Sequence, residues 1–179
     1  NEILWVPAAA VKKIQKARYA EMVLHEMWCV ANLRIKSVEI QGDSAAVRFH
    51  HPESRIQFEH PWPRPMVTKD GHNSAFYLTN AMELLDEPGE WYHDIESRKI
   101  YYYPRKGEKI SKAVVPGIET LVWVEGTIDR PVKHIRFDNI AFQYTTWMRP
   151  SLQGHVPLQA GMYMIPGRLS NVFLPITIV

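Results

Sequence analysis

Over the first fifty residues apolar and polar positions alternate with a period close to two. Met22 to Cys29 and Leu33 to Ile40 read as strands, the second with Leu33, Ile35, Val38 and Ile40 as its apolar beats. The beat slips by one at Lys36-Ser37, which predicts a β-bulge. Gln41-Gly42-Asp43-Ser44 reads as a turn and Ala46-Val47-Arg48-Phe49 as the returning strand, so the pattern predicts an antiparallel meander. Ahead of it, Ala8 to Lys16 predicts a short helix, with Pro7 where a first helical turn tolerates proline. Lys12, Lys13 and Lys16 then make a solvated face with cations toward the negative helix end.

The pattern changes after Phe49. The stretch from His50-His51-Pro52 to His60-Pro61-Trp62-Pro63-Arg64-Pro65 has no period and predicts a long surface loop lying over a groove. Asp70-Gly71-His72-Asn73 reads as a turn. Tyr77, Ala81, Leu84 and Leu85 then fall at i, i+4, i+7 and i+8, predicting a helix over 76–85. Pro88-Gly89 marks the next turn. Two aromatic runs, Glu90-Trp91-Tyr92-His93-Asp94 and Lys99-Ile100-Tyr101-Tyr102-Tyr103, flank the polar Ile95-Glu96-Ser97-Arg98 and predict a β-hairpin. Pro104 ends its second strand, because proline cannot donate to a ladder.

Further on, Thr120 to Gly126 reads as a strand and Asp129-Arg130-Pro131 as a turn. His134 to Tyr144 carries apolar beats at Ile135, Phe137, Ile140, Phe142 and Tyr144, with Asp138-Asn139 shifting the phase. An asparagine that accepts the left-handed conformation between two short strands is how a parallel β-helix turns a corner. A second coil is predicted to begin at Arg168-Leu169-Ser170-Asn171-Val172-Phe173, offset by 37 residues when Asn171 is laid on His134.

The run Asp86-Glu87-Pro88-Gly89-Glu90-Trp91-Tyr92-His93-Asp94, followed by Ile100-Tyr101-Tyr102-Tyr103-Pro104, resembles a signature of bacterial right-handed parallel β-helix proteins. Many of these are glycoside hydrolases or their relatives, with an extra β-rich domain inserted into the helix. The resemblance extends more loosely from about Val23 to Tyr163. It departs from the pattern at Ser97-Arg98, where such relatives place a glycine-containing turn, and this bears on turn geometry. The resemblance implies a polysaccharide-degrading enzyme whose bond-cleaving acids stand on later coils. It also implies a secreted, periplasmic or cell-surface location.

Composition narrows the classes. The 179 residues are 46% hydrophobic and 22% charged, enough to bury a core. A net charge of +2 with scattered Lys and Arg speaks against nucleic acid as a partner. There is no apolar run long enough to span a membrane. The single cysteine, Cys29, excludes an internal disulfide and reads as a small apolar core residue. The first residues lack the features of a signal peptide. The chain stops in an apolar run, Val172 to Val179, which suggests a fragment of a longer polypeptide.

The candidate chemistry is carbohydrate recognition. Six Trp and eight Tyr can stack on sugar rings, although such side chains equally fill β-protein cores. In the loop after the first coil, Trp147 is expected to stack on a sugar while Arg149 and His155 bond its hydroxyls. Glu26 and Trp28, two apart on a strand, share a face and form a second candidate sugar clamp, with His25 on the opposite face. The acidic cluster Glu83, Asp86, Glu87, Glu90 and Asp94 invites comparison with a glycosidase pair, but solvated carboxylates beside a turn explain it as well. His50, His51 and His60 lack metal-ligand spacing, so no metal is expected. No phosphate loop, nucleophile elbow or zinc-helix motif occurs, and no cofactor or catalytic residue is assigned.

The expected fold is mainly β with a few short helices: a β-rich, sandwich- or barrel-like accessory domain over 1–112, and the start of a right-handed parallel β-helix over 113–179. The expected function is that of part of a carbohydrate-active protein binding oligo- or polysaccharide, inactive on its own. Alternatives are a non-catalytic carbohydrate-binding module and a structural β-helix segment. A polysaccharide lyase would need a calcium site, for which no cluster of Asp speaks. An uncapped β-helix end would favour self-association.

Overall fold

The twelve-residue strand β3 (Val30–Gln41) pairs with different partners along its two halves. Through Gly42, at φ +61°, it returns as β4 (Ser44–Phe49), which pairs with it from Ile35 to Gln41. A side chain is disfavoured at such a φ, and glycine removes the penalty. Along Val30–Arg34 its partner is β2 (Glu21–His25). With β1 (Ile3–Pro7) on β4 and β5 (Phe76–Thr79) on β2, the sheet has the order β1-β4-β3-β2-β5, antiparallel throughout. The computed structural model describes residues 2–59, 65, 73–146, 163–164 and 171–172. It divides the chain into two compact units, Asn1–Glu108 with Arg149–Val179, and Lys109–Met148.

The register shift falls between Ile35 and Ser37, where the slipped beat predicts a bulge. Its purpose is visible in the burial. Leu33 and Ile35 before the shift and Val38 after it are all buried, so the extra residue keeps the apolar beats on one side. Met22, Leu24, Ala31, Val47 and Phe49 complete that face. Against it lie α1 (Ala8–Val11) and a following 3₁₀ turn, Lys12–Ile14, which bury Val11 and Ile14. Each such aliphatic side chain contributes roughly 1.5–3 kcal/mol on full burial.

Several expectations change. Among the described residues the sheet is open, with β1 and β5 at its edges, and does not close into a barrel. The helix expected over 76–85 is instead the edge strand β5, then Asn80 at φ +58° and a 3₁₀ turn, Met82–Leu84. Pairing of Phe76–Thr79 with β2 supplies ladder hydrogen bonds that outweigh a loose helical spacing. The loop expected after Phe49 contains α2 (Glu53–Glu59). The first strand ends at His25, because the Glu26 amide donates to the Cys29 carbonyl (2.9 Å) and closes a tight turn.

The hairpin forms where the aromatic runs predict it. β6 (Trp91–Asp94) and β7 (Lys99–Tyr102) pair in the register Trp91↔Tyr102 to Asp94↔Lys99. Asp94 organises the connection: Oδ1 accepts from the Glu96 and Ser97 amides, and Oδ2 from the Ser97 hydroxyl (2.7 Å). These bonds hold its carboxyl below the usual aspartate range, the Ser97 hydroxyl foremost. Arg98 occupies the left-handed region, φ +55°, a conformation that glycine takes without penalty. At the other end Gly89, at φ +103°, packs against the Arg105 guanidinium, and its amide donates to the Tyr103 carbonyl (2.6 Å).

In the second unit no strand occurs among the described residues. The chain bends at His134, Asn139 and Tyr144, each with φ between 55° and 63°. Asn139 thus takes the left-handed conformation expected of it. Phe137 and Phe142, on either side of that bend, meet edge to face at 5.6 Å. The Thr146 amide donates to the Ile118 carbonyl (3.1 Å). Beyond, β8 (Tyr163–Met164) and β9 (Asn171–Val172) form a short antiparallel pair. Among the described residues no strand pair is parallel.

Candidate functional site

At the end of the sheet where β2 turns into β3, His25, Met27, Trp28 and, on β5, Tyr77 are exposed. In the β2–β5 register Tyr77 stands opposite Val23, and in the β2–β3 register His25 stands opposite Val30. Alternation places all four on one face. The His25 and Tyr77 rings approach to 5.6 Å, tilted by 50°. Tyr77 is 51% exposed, and Met27 and Trp28 in the adjoining turn are 56% and 47% exposed. The His25–Tyr77 pair thus stands at the exposed end of this face, with half-buried Asn32 on β3 and the exposed Met27 and Trp28 in the adjoining turn. Such a surface can stack on the C–H face of a pyranose and bond its hydroxyls.

Glu26 does not join this surface as a free carboxylate. Its Oε1 accepts from Gln57 Nε2 on α2, and its Oε2 accepts from the Cys29 thiol (3.1 Å). Both oxygens are engaged in fastening α2 to the turn. Burial pushes the Cys29 thiol up to about 12, with the Glu26 charge adding to the effect. The expected pairing of Glu26 with Trp28 on one strand face fails because the strand stops one residue earlier. Trp147, Arg149 and His155 lie outside the described residues.

The polar side of α2 went unread in the sequence. Glu53, Ser54 and Gln57 are all essentially buried, and each ties α2 to a different element. Glu53 accepts from the Arg34 backbone amide (3.2 Å), from Nε (2.6 Å) and from Nη2 (3.0 Å). Ser54 donates to Glu2, and Gln57 to Glu26. Pro52 followed by Glu53 was the available signal, since proline and an acidic residue both favour a helix start. Arg34 lies just beyond the part of β3 that β4 covers, so Glu53 takes the amide that a longer β4 would have bonded.

Three members of the acidic cluster have structural partners. Glu90 accepts from the Asp86 and Glu87 amides, Asp94 holds the hairpin turn, and Asp86 pairs with Lys13. Of the described carboxyls, Glu21 has the proton affinity of a general acid: burial drives it up to about 7, against the pull of Asn80 and Arg34. It is 6% exposed, so no substrate reaches it. Among the described residues no three His, Cys, Asp or Glu side chains stand where they could hold a metal ion. No described helix is long and apolar enough to cross a membrane.

An antiparallel five-stranded sheet, and a separate hairpin bearing the Pro-Gly-Glu-Trp-Tyr run, define a mainly β unit with a few short helices. Residues 1–105 match the family described as the GH141 insertion domain, and the chain belongs to that family. A solved structure named as a glycoside hydrolase is 72% identical over 91% of this chain and superposes with a TM-score of 0.86. The matched region is 29% of that protein's chain, so the present sequence spans less than a third of it. No curated protein matches the sequence.

Proposed function

We propose that this chain is the insertion-domain portion of a polysaccharide-degrading glycoside hydrolase, with a sugar-contacting role and with its bond-cleaving acids elsewhere in the parent protein. The observation that carries it is the 72% identity to a glycoside hydrolase across nearly the whole chain. Several described carboxylates agree with it: Glu90 and Asp94 are tied into turns beside the hairpin, and Glu21 is enclosed. Trp28 is the sugar-stacking residue of the first unit, with His25 and Tyr77 beside it. Trp147, Arg149 and His155 form the second set.

Residues 1–112 are the inserted β-rich domain and 113–179 the first part of a right-handed parallel β-helix. Bends recur at five-residue steps, at His134, Asn139 and Tyr144, and the pairs Ile135/Phe137 and Ile140/Phe142 between them are each about half exposed. Evenly bent legs with unfilled apolar pairs are what one coil offers when a neighbouring coil supplies its ladder and its interior. The same surface gives the isolated chain a tendency to self-associate. The parent acts outside the cytoplasm, without nucleic acid.

The test is a panel of plant and host polysaccharides presented to the purified chain, read by affinity electrophoresis and by reducing-sugar release. Retardation by at least one polysaccharide, lost in Trp28→Ala or Trp147→Ala with the circular dichroism unchanged, is the expected result, without new reducing ends. Sugar release by the chain alone overturns the placement of the acids. Absence of retardation by any polysaccharide favours the second reading, a purely structural module.

A further inference from the structure

Two nearly fully buried carboxyl groups, Glu21 and Glu53, lie at the junction of β2, β3, β5 and α2, and of the two only Glu53 bonds the Arg34 guanidinium there. Glu53, 1% exposed, takes Nε and Nη2 of Arg34. The remaining bond of Nη2 goes to the His51 carbonyl (2.9 Å). Glu21 stands directly opposite Arg34 in the β2–β3 register and opposite Thr79 in the β2–β5 register. Its hydrogen bond is a long one from the Asn80 amide group (3.3 Å). The charged groups that face it are Arg34 from β3 and Glu53 from α2, while β5 and its end contribute the neutral Thr79 and Asn80. One guanidinium already neutralised by Glu53 leaves little to stabilise a second negative charge. A carboxyl desolvated in this way keeps its proton well above the ordinary range.

We propose that Glu21, with Arg34, Glu53 and Asn80, forms a proton-controlled latch: protonated Glu21 holds the edge strand β5 on β2, and ionised Glu21 releases it. β5 is suited to this role. It is four residues long, it is an outer strand of the sheet, and Asn80 at its end is held in the left-handed region beside Glu21. It also carries Tyr77, so release of β5 separates the His25–Tyr77 ring pair. The latch rests on the geometry of the buried cluster and stands whether or not that ring pair binds sugar.

The sign follows from linkage. Opening returns Glu21 to its ordinary value of 4.5, whereas the closed strand holds it at about 7. The closed state therefore binds more protons between these values, and closure weakens as pH rises through that window, then levels off. The opening constant of β5 rises on the order of 50–100-fold between pH 5 and pH 8.

Amide hydrogen exchange of the full chain, corrected for intrinsic rates, reads this directly. Protection of the β5 amides is expected to fall by that factor in the wild type and to stay level in Glu21→Gln, whose carbonyl still accepts from Asn80. Amides of β4 serve as the reference for global opening. Parallel loss in wild type and variant, or equal loss in β5 and β4, overturns the latch. A second measurement needs no variant: the Glu21 side-chain carbonyl carbon, followed by NMR, titrates near 7. A midpoint in the ordinary glutamate range overturns it equally.

Discussion

Removing the Glu53 carboxylate tests whether α2 is fastened by charge. In Glu53→Ala three hydrogen bonds to Arg34 vanish, one from the backbone amide and two from the guanidinium. Breaking a buried pair by deleting one partner costs about 3–5 kcal/mol, because the other charge is left uncompensated. The Arg34 side chain is 27% exposed, so water recovers part of its solvation and the lower end applies, about 3 kcal/mol. Glu21, opposite Arg34, then becomes its next carboxylate and titrates lower. The Glu21→Gln/Glu53→Ala double variant lacks that rescue and loses about 1 kcal/mol more than the sum of the single changes. Urea unfolding of the full chain, followed by circular dichroism, is the assay. With an m-value of about 1.5 kcal/mol/M the midpoint drops by about 2 M. Glu39→Ala is the reference: Glu39 and Arg48 approach to 3.8 Å at the surface, and its loss costs at most about 0.5 kcal/mol. A Glu53→Ala cost below about 1 kcal/mol would refute the reasoning, since it means that the β3 edge and the guanidinium rehydrate freely.

Three further outcomes are expected. Arg98→Gly relieves a left-handed arginine and raises stability by about 1 kcal/mol, seen as a higher melting temperature; an unchanged or lower value means that the arginine side chain makes up for the strain. Gly89→Ala does the opposite, because a Cβ there lies 2.4 Å from Arg105 Nη2 at φ +103°; thermal melts should show a loss of about 1–3 kcal/mol. Cys29, with its thiol pushed up to about 12, should react more than ~10-fold more slowly with a disulfide reagent at pH 8 than the same cysteine in the urea-unfolded chain.

Sequence alone was enough for the features decided by neighbours in the chain. The meander, the bulge at Lys36-Ser37, the hairpin with Pro88-Gly89 ahead of it, and the left-handed bend at Asn139 all arise from local geometry and alternation, which the order of residues carries directly. The Trp-Tyr hairpin run likewise pointed to the glycoside hydrolase relatives. Tertiary structure alone decided what depends on partners distant in sequence. Phe76–Thr79 reads as a helix until β2 offers it a ladder, and Glu53–Glu59 reads as loop until the uncovered end of β3 gives its polar face something to bond. The partners of Glu26, Gln57 and Cys29, were likewise invisible in the sequence, which showed only its position two residues from Trp28. The proton affinity of Glu21 belongs to the same class: burial raises it and the nearby Glu53 charge adds to that, both through space, and no spacing along the chain records them.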